Sequence, residues 1–581
     1  MIAVSPDSGH IRVASRPHAS RDLVHPRALR ARAAEAKARG ALEDAAGLLI
    51  RASSLAPTDA GVLLELGLVL EALGRAADGV LVVQRALRAD PASILLRHHL
   101  GRLLFRAGRA ADAEALLNDL VSEVPLDAGA RRWLGRALLH RGAVGPAARM
   151  LRTAARLSGE DCDTVADLID AQIASGAHRE ARIWVDRLGA RRPGDPRVAV
   201  LAGRLALATG DDDAAARAFR QAGRAPSLAA AARNGFAEVE RRRGDAEGVA
   251  ATLRPAVRDG SLDAAGAATL ARASAADGVG AAAVLPVVER LLAAPGLPAL
   301  EAADLSLAHG DLLDALGQPA RAAAAWLGGH RRLPVRFDAL RFAADMDAVQ
   351  AAFSPAHFAS VHPGRGGTGP VFVVGMPHSG VGLVGKLLSW HPGLTPAPWA
   401  DIAAAVERVP VAEGRPYPEC MDRLQPSARQ QSAERVLGRD NGLGPVPVVA
   451  RADQLPHLGL IATLFPHARI VVVERDAADL AVAWARAPLA GGALPFAGDP
   501  FDMAAYRDRM AGLMAHWEQV LPMPLIRVSY EAVTANPAGT LRALYAALGL
   551  DEAQSAIPAD EALRRPERNG ARYARWLLPQ G

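Results

Sequence analysis

GRAADGVLVVQRALRADPASILLRHHLGRLLFRAG, residues 74–108, is one period of a pattern that runs through the first 340 or so residues. Glycines stand at Gly40, Gly74, Gly108, Gly142, Gly176, Gly210, Gly244 and Gly278, each 34 residues after the last, and Gly317 marks a further unit after a small insertion. Five residues after most of these comes a small residue: Ala45, Ala113, Ala147, Ala181, Ala215, Ala283 and Ala322. Seventeen after several comes a proline: Pro57, Pro91, Pro125, Pro193, Pro295 and Pro334. Seven before three of them lies a second glycine, Gly67, Gly101 and Gly135, each preceded by a leucine. A glycine at the turn lets the chain reverse between two helices, the small residues let those helices approach, and the proline ends the second helix. Each pair leaves an apolar face that only the next pair can cover, which predicts a stacked α-helical superhelix.

The spacing resembles the tetratricopeptide repeat (TPR) over residues 28–340, or about nine helix pairs. That resemblance implies a concave groove for a protein or peptide partner. The repeats around Gly244 to Gly278 are Ala-rich and poor in large side chains, which predicts looser packing there.

The net charge of +5 comes almost wholly from arginine, since Lys37 and Lys386 are the only lysines. Arginine suits bidentate contact with phosphate or carboxylate, but the basic residues are scattered, so no nucleic-acid partner is expected. The two cysteines, Cys162 and Cys420, support neither a disulfide framework nor a cysteine metal site. No metal-ligand spacing is present around His98 and His99 or elsewhere, and no metal is expected. Residues 1–27 lack the apolar run of a signal peptide and are expected to be disordered. No stretch is long and apolar enough to span a bilayer; the reading is of a cytoplasmic protein.

The pattern changes from Phe337. A last helix gives way to SPAHFASVHPGRGGTG, and residues 341–368 read as a linker. There follows PVFVVGMPHSGVGLVGKLLSWHPGL, residues 370–394. Its apolar run Val371–Val374 reads as a buried parallel strand, Gly375–Gly380 as a tight loop, and Val381–Trp390 as a helix. A strand, a glycine loop and a helix N-terminus make a phosphate cradle. Further strands are expected at Val446–Ala450, Arg469–Glu474 and Pro524–Ser529, with helices between them, one starting at Asn536-Pro537. Residues 369–581 are therefore read as an α/β domain with a P-loop-like site and a mostly parallel sheet.

The cradle is not that of a nucleotide triphosphatase. The frame directly after the strand has Val381-Gly382 where Lys-Ser/Thr belongs, and the later frame ending in Lys386 has Leu387 in place of the hydroxyl. The segment instead resembles the sulfotransferases, in particular bacterial proteins that join TPR repeats to a sulfotransferase domain. Val374-Gly-Met-Pro-His-Ser-Gly-Val-Gly-Leu383, followed by Ser389-Trp-His-Pro392, is similar to that family's loop and helix. PYPEC from Pro416, HLGLIATLFPHARI from His457, ERDAADLA from Glu474, LMAHWEQVLP from Leu513 and SYEAVTANPAGTLRALYAALGL from Ser529 continue the likeness.

The resemblance implies 3′-phosphoadenosine 5′-phosphosulfate (PAPS) as co-substrate and a hydroxyl of a protein or glycan as acceptor. It places the 5′-phosphosulfate on Pro377, His378, Ser379, Gly380, Val381 and Gly382, and the 3′-phosphate on Arg475. His378 and Asp401 are the candidate catalytic residues. The departures from the family are specific. His378 stands where a cationic residue is usual, and Val381 and Gly382 replace two threonines. The family's lysine falls near Ala450, Ala483 takes the place of a serine, and Trp399 that of the catalytic glutamate. Two functions follow: an active PAPS-dependent sulfotransferase whose repeats recruit the acceptor, or a degenerate sulfotransferase fold that serves as an interaction scaffold.

Overall fold

A computed structural model describes residues 25–141, 143–294, 297, 299–333, 336–360, 369–397, 400, 402, 405–406, 409, 414–437, 445–489, 494–551 and 570–579. The chain divides into two compact units, Met1–Gln172 and Ile173–Gly581. The division falls inside the repeats, so the later repeats belong to the same unit as the α/β domain.

The first unit is helical throughout its described residues, from Pro26–Ala38 and Leu42–Leu55 to Ala128–His140 and Val144–Leu157. The first helices of successive pairs start at Pro26, Ala60, Ile94 and Ala128, keeping the 34-residue period. Asp59, Ser93, Asp127 and Asp161, also 34 apart, accept hydrogen bonds from backbone N–H groups of the helices they precede. Each such cap is worth about 1 kcal/mol. Gly40, Gly74 and Gly108 take φ of +78°, +78° and +79°, the left-handed region that a turn between helices requires. At the second glycine the need is for space: a Cβ on Gly101 would lie 2.6 Å from Leu117 on the next helix, and one on Gly135 2.5 Å from Leu151.

In the second unit the repeats continue from His178–Arg191 to Pro319–Arg331. Ala181, Ala215 and Ala322 are buried as the spacing predicts, but Ala283 is exposed. The helix after Gly278 starts at Ala281, three residues on rather than the usual two. With the extra turn residue, Gly280, the position matching Ala113 and Ala215 falls on Val284, which packs on the core, and Ala281 matches the buried Ala110. Helix Ala264–Asp277 buries nine residues, among them Ala267, Ala268 and Ala271.

The α/β domain is a five-stranded sheet in which every pairing is parallel, in the order β2-β3-β1-β4-β5. The strands are β1 Val371–Gly375, β2 Leu394–Pro396, β3 Val446–Ala450, β4 Arg469–Glu474 and β5 Leu525–Ser529. The edge strand β2 is absent from the sequence reading; three residues are too few to show a period. Val371 is in register with Val448 of β3 and Arg469 of β4. Both faces of β1 are buried, as a central parallel strand requires. Val371 and Val373 pack with Leu387, Leu541 and Tyr545, while Phe372 and Val374 pack with Phe353, Ile461 and Trp517.

The expected linker, 341–368, carries helices Ala339–Ala352 and Pro355–Ala359 over its described residues. Their Met346, Val349, Phe353 and Phe358 enter the core of the sheet. A third apolar cluster joins Leu307, Leu313 and Trp326 of the last repeat to Leu480, Trp484, Phe496 and Tyr573 of the α/β domain. No described helix is long and apolar enough to cross a membrane.

Candidate anion site at the end of the first strand

The strand order reverses at β1, between β3 and β4, and the crevice at the carboxyl ends of strands around such a point is where open α/β sheets bind ligands. β1 ends at Gly375, where a Cβ would meet Ser379 Oγ at 2.5 Å and Val473 O at 2.6 Å. The loop then closes tightly, with Ser379 N–H donating to Met376 O at 3.0 Å. His378 has φ +61°, a left-handed conformation that costs a non-glycine residue about 1–3 kcal/mol and recurs at ligand sites. Gly380, at φ +104°, opens the helix Val381–Leu388, and a Cβ there would collide with the Tyr530 ring. The first-turn N–H groups of that helix have no intrahelical acceptor.

Two side chains from the β4 side hold the loop's carbonyls. Trp484 Nε1 donates to Pro377 O at 2.8 Å, and Arg475 Nη1 donates to His378 O at 2.8 Å. The Arg475 guanidinium also lies 4.5 Å from the centroid of Tyr530. Asp476 next to it caps helix Ala477–Ala485 through Ala478 and Asp479 N–H. Glu531 accepts from Asp476 N–H at 2.9 Å and from Ser529 Oγ at 2.7 Å. Burial alone would raise the Glu531 carboxyl, but these hydrogen bonds and the nearby Arg475 hold it below the usual range.

The sequence-predicted residues Pro377, His378, Ser379, Gly380, Val381 and Gly382 thus lie in one turn, with Arg475 against it. Their side chains differ in what they can do. Ser379 is 1% exposed, and its hydroxyl has no hydrogen-bond partner among the described residues. Burial first, and Arg475 second, push the His378 imidazole below its ordinary pKa, so it is neutral at pH 7. Val381 turns its side chain into the core below the sheet, leaving only its N–H for a ligand. Gly382 is exposed, with open space where a Cβ would stand. Asp401 and Trp399 lie outside the described residues.

The sequence reading assigns no role to several residues of the α/β domain. Arg451, one position past Ala450, donates its backbone N–H to Val373 O at the end of β3 and pairs its guanidinium with Asp453 at 2.6 Å. His457, after β3, is pushed down to about 4 by burial and shares a hydrogen bond at Nδ1 with the Tyr417 hydroxyl at 3.1 Å. Trp484 and Tyr530 have no assigned role in the sequence reading; their contacts arise from the loop they meet. Among the described residues no group of three His, Cys, Asp or Glu side chains could hold a metal ion.

The chain is 29% identical over 192 residues to an uncharacterized protein of Aquifex aeolicus (strain VF5), covering 30% of this chain. The chain spans a quarter of that relative's length. Among solved structures, the chain is similar to pilF of Pseudomonas aeruginosa at 20% identity, covering 34% of this chain and 90% of that one, with a TM-score of 0.30. It is also similar to TTC0263, a thermophilic TPR protein in Thermus thermophilus, at 21% identity, 31% and 98% coverage and a TM-score of 0.28. The model of the sulfotransferase family matches residues 370–554, from just before β1 to beyond helix Pro537–Ala547. That stretch is a sulfotransferase-family domain.

Proposed function

We propose that the α/β domain binds PAPS on the loop 375–382 and transfers its sulfo group to a hydroxyl of a protein or carbohydrate acceptor recruited through the TPR-like repeats. The observation that carries this reading is the buried Ser379 hydroxyl, without a partner among the described residues, beside the N-terminus of helix Val381–Leu388. A buried hydroxyl without a partner costs about 1–3 kcal/mol, and a phosphate or sulfo oxygen would satisfy it. The loop amides and the helix dipole favour the same anion.

In the proposed step the acceptor oxygen attacks sulfur, an S–O bond forms, and the bond from sulfur to the 5′-phosphate oxygen breaks. 3′,5′-Adenosine bisphosphate leaves, and the acceptor proton passes to a carboxylate, for which Asp401 is the candidate. His378 donates an N–H toward the bridging oxygen as charge develops there. Arg475 holds the 3′-phosphate.

A second reading, a degenerate scaffold, is favoured by a specific observation: Arg475 already donates to His378 O, and Ala483 offers only a methyl where the family has a hydroxyl. Calorimetry of the full chain with 3′,5′-adenosine bisphosphate decides between them. The enzyme reading expects binding that Arg475→Ala weakens about tenfold or more, together with transfer of sulfate-35 from labelled PAPS. Absence of binding at millimolar ligand would leave the scaffold.

A further inference from the structure

The segment running from β4 through helix Ala477–Ala485 touches the loop at both of its ends: at Arg475 on His378 O, and at Trp484 on Pro377 O. Trp484 is 1% exposed and packs edge-on against Phe496, with centroids 5.0 Å apart, and against Tyr506 at 5.8 Å. A peptide group is planar and trans, so the direction of the Pro377 carbonyl sets that of the His378 N–H on the opposite side of the chain. An indole that holds the carbonyl outward therefore fixes where one of the loop's donors points.

What holds Trp484 comes from the last helical repeat. His330, in helix Pro319–Arg331, lies 3.1 Å through Nε2 from Ala485 O, the carbonyl next in sequence to Trp484. Since a carbonyl only accepts, Nε2 carries the proton. Arg486 pairs with Asp311 at 3.2 Å and Asp314 at 3.5 Å, and its guanidinium lies 5.2 Å from the centroid of Trp326. Arg331 Nε donates to Gly498 O at 2.7 Å, two residues beyond Phe496. The repeat thus grips both segments that enclose the tryptophan.

We infer that this last repeat is a working part of the anion site, with His330 and Trp484 as positioning residues that preset the loop's donors. The inference rests on the proposed reading of the loop as an anion site. Preorganised donors bind an anion without the cost of ordering the loop at the moment of binding.

The test uses the full chain, Trp484→Phe, which keeps an aromatic ring but removes the donor, and the pair His330→Ala and His330→Gln, of which only the second can donate to Ala485 O. Two readouts are taken: amide hydrogen exchange of residues 376–382 without ligand, and affinity for 3′,5′-adenosine bisphosphate. Trp484→Phe and His330→Ala are expected to speed exchange in the loop and weaken affinity about five- to tenfold, the value of one hydrogen bond. His330→Gln is expected to stay near wild type, and exchange in distant helices to stay unchanged. Wild-type loop exchange in Trp484→Phe overturns the inference, as does equal behaviour of the two His330 variants. If Trp484→Phe does not fold, the His330 pair decides. If wild type binds no nucleotide, the sulfo-donor reading fails, while the loop exchange still decides the positioning role.

Discussion

In the proposed reaction, His378 is the loop side chain whose charge the bound anion would change. Held at positive φ and next to Arg475, its imidazole is kept below its ordinary pKa in the free protein. A bound phosphate dianion reverses the balance, because an adjacent opposite charge favours the protonated ring. Binding then takes up a proton, so affinity for 3′,5′-adenosine bisphosphate rises as pH falls through the ring's bound-state pKa and levels off below its free-state pKa. That free-state value lies below the ordinary ~6.5. Calorimetry between about pH 8 and 5.5 checks this, with His378→Ala as the reference that subtracts the ligand's own phosphate titration near pH ~6. Parallel profiles for the two proteins would show that His378 does not meet the anion.

At the scale of the element, a repeat is specified by three small devices: a left-handed glycine, a polar cap and a place where a side chain must be missing. Gly101 illustrates the last. On helix Ile94–Arg106, alanine is the better helix former by about 1 kcal/mol, so a local argument expects Gly101→Ala to stabilise. Its Cβ would stand 2.6 Å from Cγ and Cδ2 of Leu117, which is fully buried and has nowhere to swing. Overpacking of this kind costs ~1–3 kcal/mol, and the net expectation is a loss of up to ~2 kcal/mol in chemical denaturation. A gain would mean that the helices part freely. The repeat after Gly278 shows the register shifting by one, since the added turn residue moves the inward position from Ala283 to Val284.

At the scale of the molecule, the second unit is held by residues that the repeats and the α/β domain share. Asp311 and Asp314 meet Arg486, Arg572 pairs with Asp314 at 3.0 Å, and the Tyr573 hydroxyl donates to Asp314. Burial raises the Asp311 carboxyl, with Arg486 the largest opposing influence. Trp326, Leu307, Leu313, Met346 and Phe353 are all buried in clusters that include α/β residues. At about 1.5–3 kcal/mol for each large side chain, their removal would cost as much as the whole ~5–15 kcal/mol by which a domain is stable. A fragment of residues 369–581 is therefore expected to lack a cooperative thermal transition, whereas residues 173–581 retain one. Cooperative unfolding of the shorter fragment would refute the shared core.

Helical repeats, the strands β1, β3, β4 and β5, and the loop with its phosphate-cradle form were legible in the sequence because each rests on short-range physics. A turn needs glycine, a buried strand is continuously apolar, and a helix N-terminus offers unpaired N–H groups. Pro377 to Gly382 could be read as one tight turn for the same reason. The tertiary structure alone decided that Val381 spends its side chain on the core, that Arg475 reaches back to a loop carbonyl, and that His330, 154 positions before Trp484, bonds the carbonyl next to it. It also brought the expected last helix, Ala339–Ala352, and the short helix Pro355–Ala359 into the core of the sheet. Such outcomes depend on which surfaces meet after the chain has travelled through many elements, and no local pattern carries that information.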